Sequence, residues 1–109
     1  MTDLKTARVA ADALAALAEP TRLRLVLELR AGPLPVGELA RRIGAEVVNA
    51  SHHLNWLRAA GLVAYRKRGK FRYYSLADRF SVEAGTLWLD LGWCRVAFPA
   101  GAGGATDAA

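Results

Sequence analysis

Between Val48 and Asn55 the chain carries a run of short polar side chains whose chemistry is hydrogen bonding. Asn49, Ser51, His52 and Asn55 can each donate or accept, and Val48 offers a small apolar contact. At 100° per residue, Val48, Ser51, His52 and Asn55 fall on one face of a helix, with Asn49 beside them. Ala50, Leu54 and Leu57 fall on the other face, with His53 at its margin. An exposed polar face without acids matches the donors, acceptors and thymine methyl that base edges present in a major groove. A second group begins at Arg58 and continues at Lys67, Arg68, Lys70 and Arg72, around Gly69. Cations so spaced suit phosphates, and an arginine among them suits a narrow minor groove.

Other chemistries are poorly supplied. The chain has no phosphate-cradling glycine loop and no nucleophile–base pair, so an enzyme is not expected. The strong metal-ligand types are His52, His53 and Cys94 alone. Adjacent histidines on a helix diverge by about 100° and cannot clamp one ion. His53 therefore reads as a half-buried structural residue, and no metal or other cofactor is expected. With one cysteine the chain cannot form an internal disulfide, which fits a reducing, cytoplasmic compartment. The first residues do not read as a signal peptide, and no apolar run approaches the roughly 18–20 residues that cross a bilayer, so no membrane is expected.

The charge is unevenly spread. The 109 residues carry a net +5, yet residues 41–72 hold eight Lys/Arg against the single acid Glu46. The remaining chain is slightly acidic, so the whole positive excess lies in that stretch. Such a patch is the electrostatic footprint of a nucleic-acid partner.

The elements that must position these groups follow from periodicity. Residues 4–18 read as an alanine-rich helix with Ala7, Ala10, Leu14 and Leu17 at helical spacing. Pro20 starts a second helix through Leu23, Leu25, Val26, Leu27 and Leu29, which Gly32, Pro33 and Pro35 end. A short helix runs from Val36 to Ile43, turning Val36, Leu39, Ala40 and Ile43 inward, and Gly44 breaks it. A fourth helix spans about Glu46 to Ala60, and Gly61 terminates it. The period then changes to two. Residues 62–67 and 71–76 read as a hairpin turning at Arg68-Gly69-Lys70. Residues 79–97 read as a last helix, with Val82, Gly85, Leu89, Trp93 and Val96 on one side and Phe80, Leu87, Leu91 and Cys94 on the other.

The short third helix, the glycine break and the longer fourth helix make a helix-turn-helix, and the hairpin after them makes a wing: a mainly α fold with a β-hairpin wing (α+β) in the order α-α-α-α-β-β-α. The runs Leu17-Ala18-Glu19-Pro20-Thr21-Arg22-Leu23-Arg24-Leu25, Val36-Gly37-Glu38-Leu39-Ala40, residues 51–63 (Ser51 through His52, Leu54, Leu57, Gly61 and Val63) and Arg68-Gly69-Lys70-Phe71-Arg72-Tyr73-Tyr74-Ser75-Leu76 resemble the ArsR/SmtB family of winged-helix repressors. The resemblance covers about residues 14–76. It implies a repressor that binds a palindromic double-stranded DNA operator as a homodimer and releases it to an inducer. It implies that Ser51 and His52 lie in the reading helix and that the basic hairpin is the wing; with the wheel above, DNA contacts are expected at Val48, Asn49, Ser51, His52, Asn55 and Arg58 and at Lys67, Arg68, Lys70 and Arg72. Glu46-Val47 stands where members often carry a Ser-Gln pair. Arsenic- and cadmium-type members use cysteines at the start of the third helix, where this chain has Leu34 and Val36. Zinc-type members use histidines with acids on the last helix, where this chain has Asp78, Glu83 and Asp90 but no histidine. No metal site of either kind is implied.

The first and last helices correspond to the family's dimer-forming pair. Leu14, Leu17, Leu87, Trp88, Leu91 and Cys94 are thus expected at the interface of a homodimer. Cys94 reads either as a small buried hydrophobe or as a thiol near the dimer axis, serving as a redox or effector switch. Domain organisation follows: 1–97 as one domain with terminal dimerisation helices, and 98–109 as a disordered tail. A reading from another class competes, a winged-helix module whose basic surface meets an acidic protein.

Overall fold

The computed structural model describes residues 3–99. Helix α1 (Leu4–Leu17) starts at Asp3, whose carboxylate accepts the Thr6 N–H at 2.7 Å. Ala10, Ala13, Ala16 and Leu17 are buried, and Leu14 is 44% exposed. The inward face thus lies around Ala13 rather than Leu14. Methyl side chains let α1 settle close on its neighbours along that face, and the bulkier Leu14 stays outside.

Helix α2 (Pro20–Glu28) opens with Pro20 in its first turn. The Glu19 carboxylate caps it, accepting from the backbone N–H of Arg22 at 3.2 Å and from that of Thr21. A 3₁₀ turn (Leu29–Ala31) and Gly32, at φ 139°, end the segment. Helix α3 (Val36–Ile43) stops at Gly44 in the left-handed conformation, and α4 (Val47–Ala59) follows after two residues. Leu25, Val26, Leu29, Leu39, Leu54 and Leu57 meet beneath them.

Strands β2 (Val63–Arg68) and β3 (Phe71–Leu76) pair antiparallel from Val63↔Leu76 to Arg68↔Phe71, leaving Gly69 and Lys70 as the two-residue turn. A short strand β1 (Leu34–Pro35) pairs with β3, giving the order β1-β3-β2. A strand of two residues carries no readable period, so β1 has no signature in the sequence. Helix-turn-helix and wing otherwise stand where the sequence puts them.

The last helix is a correction. Residues 80–98 form a three-stranded antiparallel meander, β4 (Phe80–Glu83), β5 (Thr86–Asp90) and β6 (Arg95–Phe98). Burial alternates with period two: Leu87 and Leu89 are fully buried and Leu91 is nearly so, while Asp90 is exposed. Their partners Phe80, Val96 and Phe98 lie on the same face. The turn between β4 and β5 is Ala84-Gly85, both at positive φ (52° and 82°), the pair of values a type I′ hairpin turn demands. Asp90 accepts the Gly92 N–H at 2.7 Å and shapes the next turn. Leu87, Leu91 and Cys94 also satisfy i, i+4, i+7, which is why the segment imitated a helix.

The meander fills the place beside α1. Gly92 lies against Thr6, and a side chain there would meet the Thr6 methyl at 3.8 Å. The expected interface set must be corrected accordingly. Leu17, Leu87 and Leu91 belong to the chain's own core, at 7%, 0% and 4% exposure. Leu14 is exposed, and Trp88 and Cys94 are half-buried. Of the tail expected at 98–109, Phe98 closes β6, and residues from 100 on lie outside the described residues.

Candidate nucleic-acid interface

Helix α4 carries the polar face as its wheel required. Ala50, Leu54 and Leu57 are completely buried, which fixes which side points out. Val48 is 65% exposed; Asn49, His52, Asn55 and Arg58 are also exposed, and Ser51 is half-buried at the edge. His52, Asn55 and Trp56 border an open groove of about 720 Å³ whose other wall is α1, at Val9, Asp12 and Ala15. Val48, Asn49 and Ser51, nearer the N-terminal end, stand clear of it.

The wing presents its cations in a strained electrostatic arrangement. Lys67 lies directly opposite Arg72 across the hairpin, and Arg66 opposite Tyr73. Like charges placed opposite one another destabilise a hairpin unless an anion comes between them. Aromatic faces take up part of the charge. The guanidinium of Arg68 lies 5.7 Å from the Tyr73 ring, and the ammonium of Lys70 lies 5.6 Å from Phe71.

Tyr65 was not singled out in the sequence, yet it joins the two parts of the surface. Arg72 of the wing lies 4.7 Å from its ring centroid and Arg58 of α4 lies 5.5 Å away. Tyr74 packs against it with centroids 5.4 Å apart. One ring therefore ties the cationic end of α4 to the wing. The available signal was period two: Tyr65 shares its strand face with Lys67.

The positive stretch 41–72 divides in two. Arg41 hydrogen-bonds Glu38 through Nε at 3.1 Å, and Arg42 reaches Glu38 at 2.9 Å and Glu28 at 3.4 Å. These two arginines, Arg41 first, hold the Glu38 carboxyl well below its usual range, at about 2. Their charge is met locally. Arg58, Lys67, Arg68, Lys70 and Arg72 make no ion pair among the described residues. The unneutralised charge of this stretch therefore lies on the wing and the end of α4.

His53 is half-buried, as the sequence suggested. Its Nε2 lies 3.4 Å from Glu19 and its Nδ1 lies 3.4 Å from Arg22. Cys94 sits in the β5–β6 connection, apart from both histidines in the chain's organisation. Among the described residues no group of three or more His, Cys, Asp or Glu side chains could hold a metal ion. No helix there is long and apolar enough to cross a membrane.

Comparison with known proteins places the same segments in context. A helix-turn-helix domain family matches residues 17–66. The transcriptional regulator NmtR of Mycobacterium tuberculosis is 46% identical over 76 residues, spanning 70% of this chain and 63% of NmtR. HlyU from Vibrio cholerae superposes with a TM-score of 0.67 at 36% identity, over 70% of this chain and 83% of HlyU. A homodimeric winged helix-turn-helix DNA-binding domain from Mycobacterium bovis, described as a possible ArsR-family regulator, superposes with a TM-score of 0.64 at 33% identity. It covers 71% of this chain, which in turn covers 73% of it. The chain spans about three-fifths of the length of its sequence relatives.

Proposed function

Since this chain belongs to the ArsR/SmtB family of winged helix-turn-helix proteins, we propose that it is a transcriptional repressor that reads a palindromic operator as a homodimer and releases it to an inducer. The observation that carries this reading is the joined surface. An outward polar face on α4 lies beside wing cations that have no acid partner among the described residues, and Tyr65 bridges the two. The reading helix would enter the major groove with Val48, Asn49, Ser51 and His52, and Asn55 would follow one turn later. Arg58, Lys67, Arg68, Lys70 and Arg72 would bind phosphates, with Arg68 or Arg72 able to enter a minor groove.

A second copy would pack on α1. Leu4, Ala11, Leu14 and Ala15 are exposed and share one stripe of that helix. An exposed stripe of small and apolar residues supports a close helix–helix contact. A two-fold dimer would set two reading helices about 34 Å apart, one turn of DNA.

The test is duplex binding across a salt series, on a sequence enriched from a randomised pool and on an unrelated one. A repressor loses affinity steeply with salt and prefers the enriched sequence. Weak binding, equal on both duplexes and flat with salt, would remove this reading.

A further inference from the structure

We propose that Arg22 is a positioning residue for the reading helix, acting through Trp56 and His53; the inference rests on the DNA-reading role of α4. Arg22 is a buried charged residue, 9% exposed. Its Nε donates to the carbonyl of Ala16 near the end of α1 at 2.5 Å. Its Nη1 lies 3.4 Å from Nδ1 of His53, and its guanidinium carbon lies 4.5 Å from the Trp56 ring centroid. His53 turns its other nitrogen, Nε2, to Glu19 at 3.4 Å, and Glu19 caps α2. The tautomer with hydrogen on Nε2 satisfies both contacts, accepting from Arg22 and donating to Glu19. One guanidinium thus touches α1, α2 and α4.

Two features go beyond packing. A buried guanidinium is costly to desolvate, and an apolar side chain of similar volume usually serves stability as well or better. Trp56 is 61% exposed, so burial does not explain an indole there. Its face is what the cation uses. The buried side of α4 is Ala50, Leu54 and Leu57, and hydrophobic contact is non-directional. It fixes the outward side of α4 but resists small rotations about the axis only weakly. His53 and Trp56 are three residues apart on one flank, so a roll breaks both contacts together. The node therefore sets the angle at which Ser51 and His52 leave the surface.

The experiment compares the wild type with Trp56→Phe, Trp56→Leu and Arg22→Lys, on an enriched and an unrelated duplex. Trp56→Phe keeps a ring face and binds as the wild type does. Trp56→Leu keeps bulk without the face and loses roughly 2- to 5-fold on the enriched duplex only, the range expected of an exposed cation–π pair. Its salt slope stays unchanged, because no phosphate contact is lost. Arg22→Lys keeps the charge without the planar fork and behaves as Trp56→Leu or worse. Equal affinities for Trp56→Leu and the wild type, or equal losses on both duplexes, overturn the proposal. A second measurement needs no DNA. Residual dipolar couplings of the α4 amides, referred to α2, match in wild type and Trp56→Phe and differ in Trp56→Leu. Unchanged couplings in Trp56→Leu overturn the positioning role by themselves, whatever the protein does on DNA.

Discussion

Ser51 and His52 occupy the part of α4 that the burial of Ala50, Leu54 and Leu57 turns outward. Base-edge contacts there would carry sequence information, whereas Arg68 on the wing would carry charge. Ser51→Ala or His52→Ala should relax preference at single positions by about 1–3 kcal/mol. Arg68→Ala should weaken all duplexes alike and lower the salt slope by about one. Competition titrations against single-base operator variants separate the two patterns. Glu38 offers a test that needs no DNA. Hydrogen bonds from Arg41 and Arg42 hold its carboxyl at about 2, below the 4.5 it has when unpaired. The pairing favours the folded state above that ordinary value and is lost as pH falls toward 2. Carboxyl NMR should find Glu38 still ionised at about pH 3, and Glu38→Gln should remove its share of acid sensitivity in that window. The polar face of α4 was legible in the sequence because helical periodicity alone fixes which residues share a face. The roles of Tyr65 and Arg22 were not, because each depends on which distant side chain arrives beside it.

Among the elements, α2, α3, α4, β2 and β3 followed from local signals that agree with one another: Pro20 at a helix start, Gly44 in a left-handed cap, and period two on both sides of Gly69. The segment after Asp78 carried two periods at once. Leu87, Leu89 and Leu91 alternate as a strand requires, yet Leu87, Leu91 and Cys94 also suit a helix. The turn that decides between them, Ala84-Gly85, lacks the usual Asn or Asp. Ala84 sits at φ 52°, a conformation that asparagine tolerates better than alanine. Ala84→Asn should therefore raise the unfolding free energy by about 0.5–1 kcal/mol. Leu87 was assigned to a subunit interface and lies in the protomer's own core. Leu87→Ala should cost about 2–5 kcal/mol of unfolding free energy, independent of protein concentration. A concentration-dependent loss would return Leu87 to an interface.

For the whole molecule, the uneven charge of the sequence was a sound guide to one side of the protein. The structure narrows it, since Glu38 and Glu28 occupy Arg41 and Arg42, and the other cations of residues 41–72 stand on the wing and the end of α4. Family and fold fix the winged helix-turn-helix, while the C-terminal meander sets β-strands beside α1 where the periodicity suggested a helix. The most direct measurement is selection from a randomised duplex pool, followed by affinity across a salt series. The account predicts an enriched inverted repeat with half-sites about one helical turn apart, bound with steep salt dependence and lost in preference when Ser51 or His52 is replaced. A pool that stays unenriched, with weak binding indifferent to sequence and salt, would contradict it.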